Sequence, residues 1–211
     1  MTVIKKYRYR LIRLCIGFLI IGTGGSLFVY SNLGSDPLNL MSQGIAGILG
    51  LEVGTTNSLV QFSFLIAILL TARKRVGLGT IIGIFIIGGI MNIWSMLLAP
   101  LLAISALPIR IVCIVAAPVL IGFGVAMVQT ANLGMVPNDL LPLIIFEKAE
   151  KFEYRYVRIA YDLLQFIIGL LLGGVFGIGT IVSALLTGPS IQGSLNLLGY
   201  SPTEDTDDFI C

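Results

Sequence analysis

Apolar residues along this chain do not alternate with polar ones; they run together in long blocks separated by short polar stretches. Blocks near the length of about 20 residues that a helix needs to cross a bilayer occupy 11–31, 56–72, 77–98, 109–131, 156–173 and 178–198. Two further apolar stretches, Leu38 to Leu51 and Leu140 to Phe146, are too short to cross. The second reaches only about 10 Å as a helix, against a hydrocarbon core of about 30 Å. Each follows a proline, Pro37 or Pro137, which suits the first turn of a new helix. Half-helices are expected there, either re-entrant or interfacial. The fold class expected is all-α, a polytopic transmembrane bundle of about six spans.

Shifting the chain against itself by 100 residues aligns two halves without a gap. Asn32-Leu33-Gly34 and Pro37 meet Asn132-Leu133-Gly134 and Pro137, and Gly77-x-Gly79-Thr80-Ile81 meets Gly177-x-Gly179-Thr180-Ile181. Between Ile21 and Leu98, 18 of 78 positions are identical to their partners. Chance in a chain of this composition gives about 7 or 8. The matches also gather on Gly, Pro, Asn and Thr rather than on interchangeable aliphatics, so the expectation is a duplication. Three spans per half is an odd number, which forces the halves into opposite orientations, the inverted-repeat plan of many secondary transporters. The organisation expected is a basic cytoplasmic segment 1–13, repeats at 14–100 and 101–198, and an acidic cytoplasmic tail 199–211.

Charge fixes the orientation. With the N-terminus inside, Lys5, Lys6, Arg8, Arg10, Arg13, the run Arg73 to Arg75, and Lys148, Lys151, Arg155 and Arg158 all fall in the cytoplasm, leaving Arg110 outside. A basic stretch before an apolar run also describes a signal peptide, but no small-residue cleavage site closes this one and the repeat includes it, so a retained first helix is expected. Composition agrees with a membrane solvent: 56% of residues are hydrophobic and 11% charged, with a mean hydropathy of +1.00. Soluble domains carry about 25% charged residues. A net charge of +2 gives no reason to expect nucleic acid as a partner. Histidine is absent, and Cys15, Cys113 and Cys211 are far apart, so neither a cofactor nor a metal site is expected.

Candidate chemistry lies in three places. The Asn-Leu-Gly-x-x-Pro turns combine glycines free to adopt unusual backbone angles with prolines that start a helix. The N–H groups at such a helix start favour an anionic group. That makes Asn32, Gly34, Pro37, Asn132, Gly134 and Pro137 candidates for a solute or ion site; a plain helix–turn–helix is the alternative. Asp162, inside an apolar block, is expected either to pair with Arg158 one turn earlier or to serve as a proton- or cation-coupling carboxylate. Among polar residues within spans, Gln129 joins the candidates, with Asn57, Gln61, Asn92, Thr187, Gln192 and Asn196, although hydrogen bonding between helices is the commoner use. Small residues at Thr180, Ala184 and Gly188, and at Gly169, Gly173 and Gly177, read as helix-packing faces. The mixed-charge stretch 147–155, with Glu147 four residues before Lys151, reads as a solvated surface helix.

Gly22-x-Gly24, Leu33-Gly34-x-x-Pro37, Gly79-Thr80 and Gly88, repeated as Gly122-x-Gly124, Leu133-Gly134-x-x-Pro137, Gly179-Thr180 and Gly188-Pro189, resemble the YczE/YyaS/YitT-type bacterial membrane proteins. The resemblance spans nearly the whole chain and implies a bacterial cytoplasmic membrane location, with little chemistry. The leading expectation is a permease for an unknown small solute, with its site between the inverted halves. The rivals are a substrate-binding membrane subunit of a multi-part importer and a non-transporting accessory protein. Besides the lipid bilayer, a second copy or a partner subunit is compatible with the sequence. An enzyme is not expected, since no paired intramembrane carboxylates or metal cluster are visible.

Overall fold

The computed structural model describes residues 3–102, 106–149 and 153–199. The acidic stretch Glu204 to Asp208, Lys151 and Cys211 lie outside the described residues. The described residues form α1 (Val3–Ser31), α2 (Pro37–Leu49), α3 (Val53–Ala72) closed by a 3-10 turn (Arg73–Arg75), α4 (Leu78–Leu102), α5 (Leu107–Ala131), α6 (Pro137–Ala149), α7 (Tyr154–Leu171) and α8 (Ile178–Leu197). No strand occurs among them.

Among the described residues, four segments are long and apolar enough to cross a membrane: Tyr7–Ser31, Val53–Arg75, Leu78–Leu98 and Leu107–Ala131. The chain is an integral membrane protein. The expected fifth and sixth spans form as helices, but differ in character. α7 carries Arg155, Arg158 and Asp162 within its 18 residues, and α8 carries Thr180, Ser183, Thr187, Gln192 and Asn196 within its 20. The two short apolar stretches become helices of 13 residues each, about 20 Å long. The surface helix expected over 147–155 does not run through. α6 ends at Ala149 and α7 starts at Tyr154, with Glu153 as its cap. Glu147 instead pairs with Arg75 at 2.8 Å.

The centre of the molecule is the antiparallel crossing of α1 and α5. It is close because glycines stand at the contacts: a β-carbon on Gly17 would lie 2.8 Å from the Val128 side chain, and one on Gly24 would lie 2.9 Å from the Ala117 carbonyl. α4 packs along α1, with Gly22 against Ile87 and Ile90, and Leu14, Phe18, Ile87, Met91, Val128, Ala131 and Val136 form the largest apolar core. α8 packs along α5, with Gly122 against Ser190 and Ile191.

The expected small-residue faces are used in part. Gly169 accommodates Leu40 and Met41 of α2, Gly177 accommodates Leu33, and Thr180 sits against Gly34. Gly173 and Gly188 meet nothing, so the packing roles read from the sequence at those two positions do not hold. The vacancy at Gly188 is informative. Gly88, 100 residues earlier, lies against Gly54 and Ser58, where α3 and α4 close on each other. That closure is fastened by bonds from Ser58 Oγ to the Ile84 carbonyl at 2.7 Å and from Asn92 Nδ2 to Thr55 Oγ1 at 2.8 Å. α7 and α8 do not pack closely against each other; α7 lies on α2 instead.

Candidate functional site

The two Asn-Leu-Gly turns are the most regular feature of the backbone. Asn32 and Asn132 have φ of 50° and 52°, and Gly34 and Gly134 have φ of 105° and 112°. The carbonyl of Leu33 accepts from the Gly179 amide at 2.8 Å, and that of Leu133 accepts from the Gly79 amide at 2.9 Å. Each turn therefore satisfies an orphan N–H at the first turn of a helix from the other half. Gly34 is pressed against Gly177 and Thr180, and Gly134 against Gly77 and Thr80.

Immediately after the first turn, Asp36 caps α2. Its carboxylate accepts from the Asn39 amide at 3.4 Å and from Asn39 Nδ2 at 2.6 Å. Asn39 Oδ1 accepts from Asn57 Nδ2 at 3.1 Å, and Asn57 Oδ1 accepts from Gln61 Nε2 at 3.0 Å. The result is a buried ladder of amides climbing from the start of α2 along α3. A second cluster stands at the start of α6. Asn138 Oδ1 accepts from Gln165 Nε2 at 2.7 Å and from the Tyr161 hydroxyl at 3.2 Å. Arg158 donates through Nη1 to Asp139 at 3.0 Å and through Nε to Asp162 at 3.1 Å.

The clusters belong to one region. The Phe64 ring of α3 and the Tyr161 ring of α7 lie 6.0 Å apart, and Gly169 of α7, four residues beyond Gln165, lies against Leu40 of α2, next to Asn39. Three buried oxygens here have no hydrogen-bond partner: Ser35 Oγ, Gln61 Oε1 and Gln165 Oε1. Buried polar atoms are ordinarily satisfied, so such orphans point to something that completes them. A separate cavity of about 350 Å³ opens beside Tyr30, Asn32, Glu52, Ser95 and Arg110. Ser95 donates to Glu52 there at 3.1 Å, and Arg110 Nε is unpartnered.

The candidates read from the sequence are thus distributed. Pro37 and Pro137 begin the two short helices and place Asp36, Asn138 and Asp139. Asp162 is in the site, held by the expected pair with Arg158. Asn32 lines the separate cavity. Gly34, Asn132 and Gly134 shape the turns, and Gln129 accepts from the Asn132 amide through its backbone carbonyl. Asp36, Asn39, Asn138, Asp139, Tyr161 and Gln165 are in the site without having been singled out. A signal existed in the Asp-Pro pair at 36–37, a helix-capping signature, and in Asn57/Gln61 and Tyr161/Gln165, each four residues apart on a helix face.

Residues 8–195 match the profile of a family described as "Family of unknown function (DUF6198)". An "Uncharacterized protein" of Haemophilus influenzae is 32% identical over 183 residues, covering 87% of this chain and 82% of that protein. Two proteins of Bacillus subtilis are also similar. "Uncharacterized protein YyaS" is 29% identical over 82% of this chain and 86% of its own length. "Uncharacterized membrane protein YczE" is 28% identical over 90% of this chain and 89% of its own length. These two bear out the resemblance seen in the glycine and proline pattern. No solved structure matches the chain.

Proposed function

This chain belongs to the DUF6198 family, and from that premise we propose that it is a small-solute transporter of the bacterial cytoplasmic membrane, built from two inverted halves with the solute site between them. The observation that carries this reading is the polar region where α2 and α6 begin. Two short helices start beside Gly34 and Gly134, and their first residues bond to side chains of α3 and α7, Asn39 to Asn57 and Asn138 to Gln165. Discontinuous helices meeting at a polar site between repeats are the usual construction of such proteins.

The reciprocal bonds Leu33 to Gly179 and Leu133 to Gly79 support duplication, since each repeat supplies the same carbonyl to the same amide of the other. Opposite orientation follows from the basic residues. The N-terminus, Arg73 to Arg75 and the start of α7 then face the cytoplasm, and Glu52 and Arg110 face outside. In that frame the closed α3–α4 contact seals the outer side, while the matching α7–α8 contact on the inner side stays open. A site open to one side at a time is what alternating access requires.

Two measurements test the reading. Uptake or efflux by vesicles containing the purified protein, across a panel of metabolites, should show a solute whose transport falls in Asp162→Asn and Pro137→Ala. Thiol labelling of single cysteines placed at Leu51 and Ala149 should find them on opposite sides. Labelling of both from one side ends the inverted arrangement, and a fully inert panel ends the transport reading.

A further inference from the structure

We infer that the region between α2, α3, α6 and α7 takes a small organic cation bearing N–H donors, a protonated amine, as its ligand. This rests on the transport reading for its place in the protein, but not for its chemistry.

The direction of the hydrogen bonds carries the argument. Asp36 accepts from both the backbone N–H and the side-chain NH2 of Asn39, so Asn39 turns its NH2 group toward the carboxyl. Asn39 then offers its carbonyl to the next amide, Asn57, which offers its own to Gln61. Turning any one amide over would set two carbonyls, or a carbonyl and the carboxylate, against each other. The ladder is therefore polarised from end to end, and what it leaves bare is an acceptor, Gln61 Oε1, on a side chain only 1% exposed. The second half arrives at the same result by another route. Gln165 spends its NH2 on Asn138 and leaves Oε1 bare on a side chain 3% exposed. Ser35 Oγ, beside Asp36 in the chain, is fully buried and also without a partner. The Ser35 hydroxyl can bond either way, but the two bare amide oxygens only accept and call for a ligand that brings donors.

Charge gives the ligand its sign. Asp139 and Asp162 share a single guanidinium, that of Arg158. Asp36 has only the capping bonds of Asn39 and forms no ion pair among the described residues. An N-cap explains why an aspartate precedes Pro37. It does not explain an amide ladder that ends in a bare carbonyl, nor three carboxyl groups in a region with one guanidinium. The acceptors are spread over α3, α7 and the α2 start, and no three carboxylates among the described residues converge as a metal-ligating group. An ammonium group, with three donors pointing in different directions, matches such a spread.

The test uses the full chain in lipid nanodiscs, followed by thermal unfolding and calorimetry at constant pH and ionic strength. Ligands are methylammonium, butylammonium, guanidinium, choline, sodium, potassium and acetate. Saturable stabilisation by an N–H-bearing cation, and not by choline, is expected. Its affinity should weaken at least tenfold in Asp36→Asn, which keeps a capping side chain, and in Gln61→Leu. Glu147→Gln, at the remote pair with Arg75, should bind as the parent does. Should Gln61→Leu fail to fold, Asp36→Asn alone decides. Stabilisation by choline equal to that by alkylammonium, by sodium or potassium alone, or by acetate overturns the inference, as does parent-like affinity in Asp36→Asn. An amine that binds in this way but never crosses vesicles sinks the transport reading and leaves the ligand class standing. A transported solute that is neutral or anionic, with no competition from amines, does the reverse.

Discussion

The carbonyl of Leu33 and the amide of Gly179 are joined at 2.8 Å, so the turn that ends α1 is fastened to the first turn of α8, 146 residues further along the chain. The contact leaves no space beside Gly34. A β-carbon there would lie 2.7 Å from the Gly177 nitrogen, on a backbone with φ of 105° that side chains rarely adopt. Gly34→Ala is expected to destabilise the protein by at least about 2 kcal/mol, from the left-handed backbone penalty and overpacking together. Gly47→Ala, with nothing within 4 Å, should be neutral or stabilising by up to about 1 kcal/mol. Thermal unfolding in detergent compares the two; equal midpoints would show that the turn does not brace α8.

Arg158 holds two carboxylates, so its removal should be worse than removal of all three charges. Arg158→Leu leaves Asp139 and Asp162 facing each other. The expected cost is about 1–3 kcal/mol, below the figure of about 3–5 for a fully buried pair, since Arg158, Asp139 and Asp162 are 30%, 15% and 35% exposed. The triple variant Arg158→Leu, Asp139→Asn, Asp162→Asn should recover much of that loss. A triple variant less stable than the single one would contradict the arrangement.

Gly88 and Gly188 align when the chain is shifted by 100 residues, but they occupy opposite environments. A side chain at Gly88 runs into Ser58 and the Gly54 carbonyl, whereas one at Gly188 meets nothing within 4 Å. Gly88→Ala should cost about 1–3 kcal/mol, and Gly188→Ala should cost nothing measurable or gain up to about 1 kcal/mol through helix propensity. Unfolding midpoints that shift equally would mean that α7 and α8 close as α3 and α4 do.

Helix positions were legible in the sequence because hydrophobic block length is set by the solvent and needs no tertiary knowledge. The turns were legible too, since only Asn and Gly tolerate the positive φ found at positions 32, 34, 132 and 134. Within the site, Asp162 was legible because its charge stands out in an apolar block, and Asn57 and Gln61 as polar residues inside a span. Asp36 and Asp139 read as ordinary linker and helix-start residues, because nothing local says that short helices aim them at a shared region. What the amides do was hidden for a different reason: Asn39, Asn57 and Gln61 acquire a role only through the order in which they bond, a ladder that starts at Asp36 and crosses separate helices. Asymmetry between α3–α4 and α7–α8 was hidden as well. Repeat matching emphasises what the halves share, and here Tyr154 and Arg158 stand where the first half has Gly54 and Ser58.

That asymmetry gives the most direct test of motion. Thr55 and Asn92 touch through their side chains at 2.8 Å across the closed α3–α4 pair. Cysteines at these two positions, in a background with Cys15, Cys113 and Cys211 replaced by serine, should be bridged readily by a short bis-thiol reagent. Cysteines at the matching positions Arg155 and Gln192 should not be bridged without ligand, because α7 and α8 stand apart. If the halves alternate, bridging Thr55→Cys to Asn92→Cys holds the outer side shut, and vesicle uptake of the transported solute should stop and return on reduction. Ligand should in turn raise bridging between positions 155 and 192. Uptake that continues at the parent rate with the α3–α4 bridge fully formed would mean that this contact is fixed scaffolding, since no solute can enter through a side that never opens.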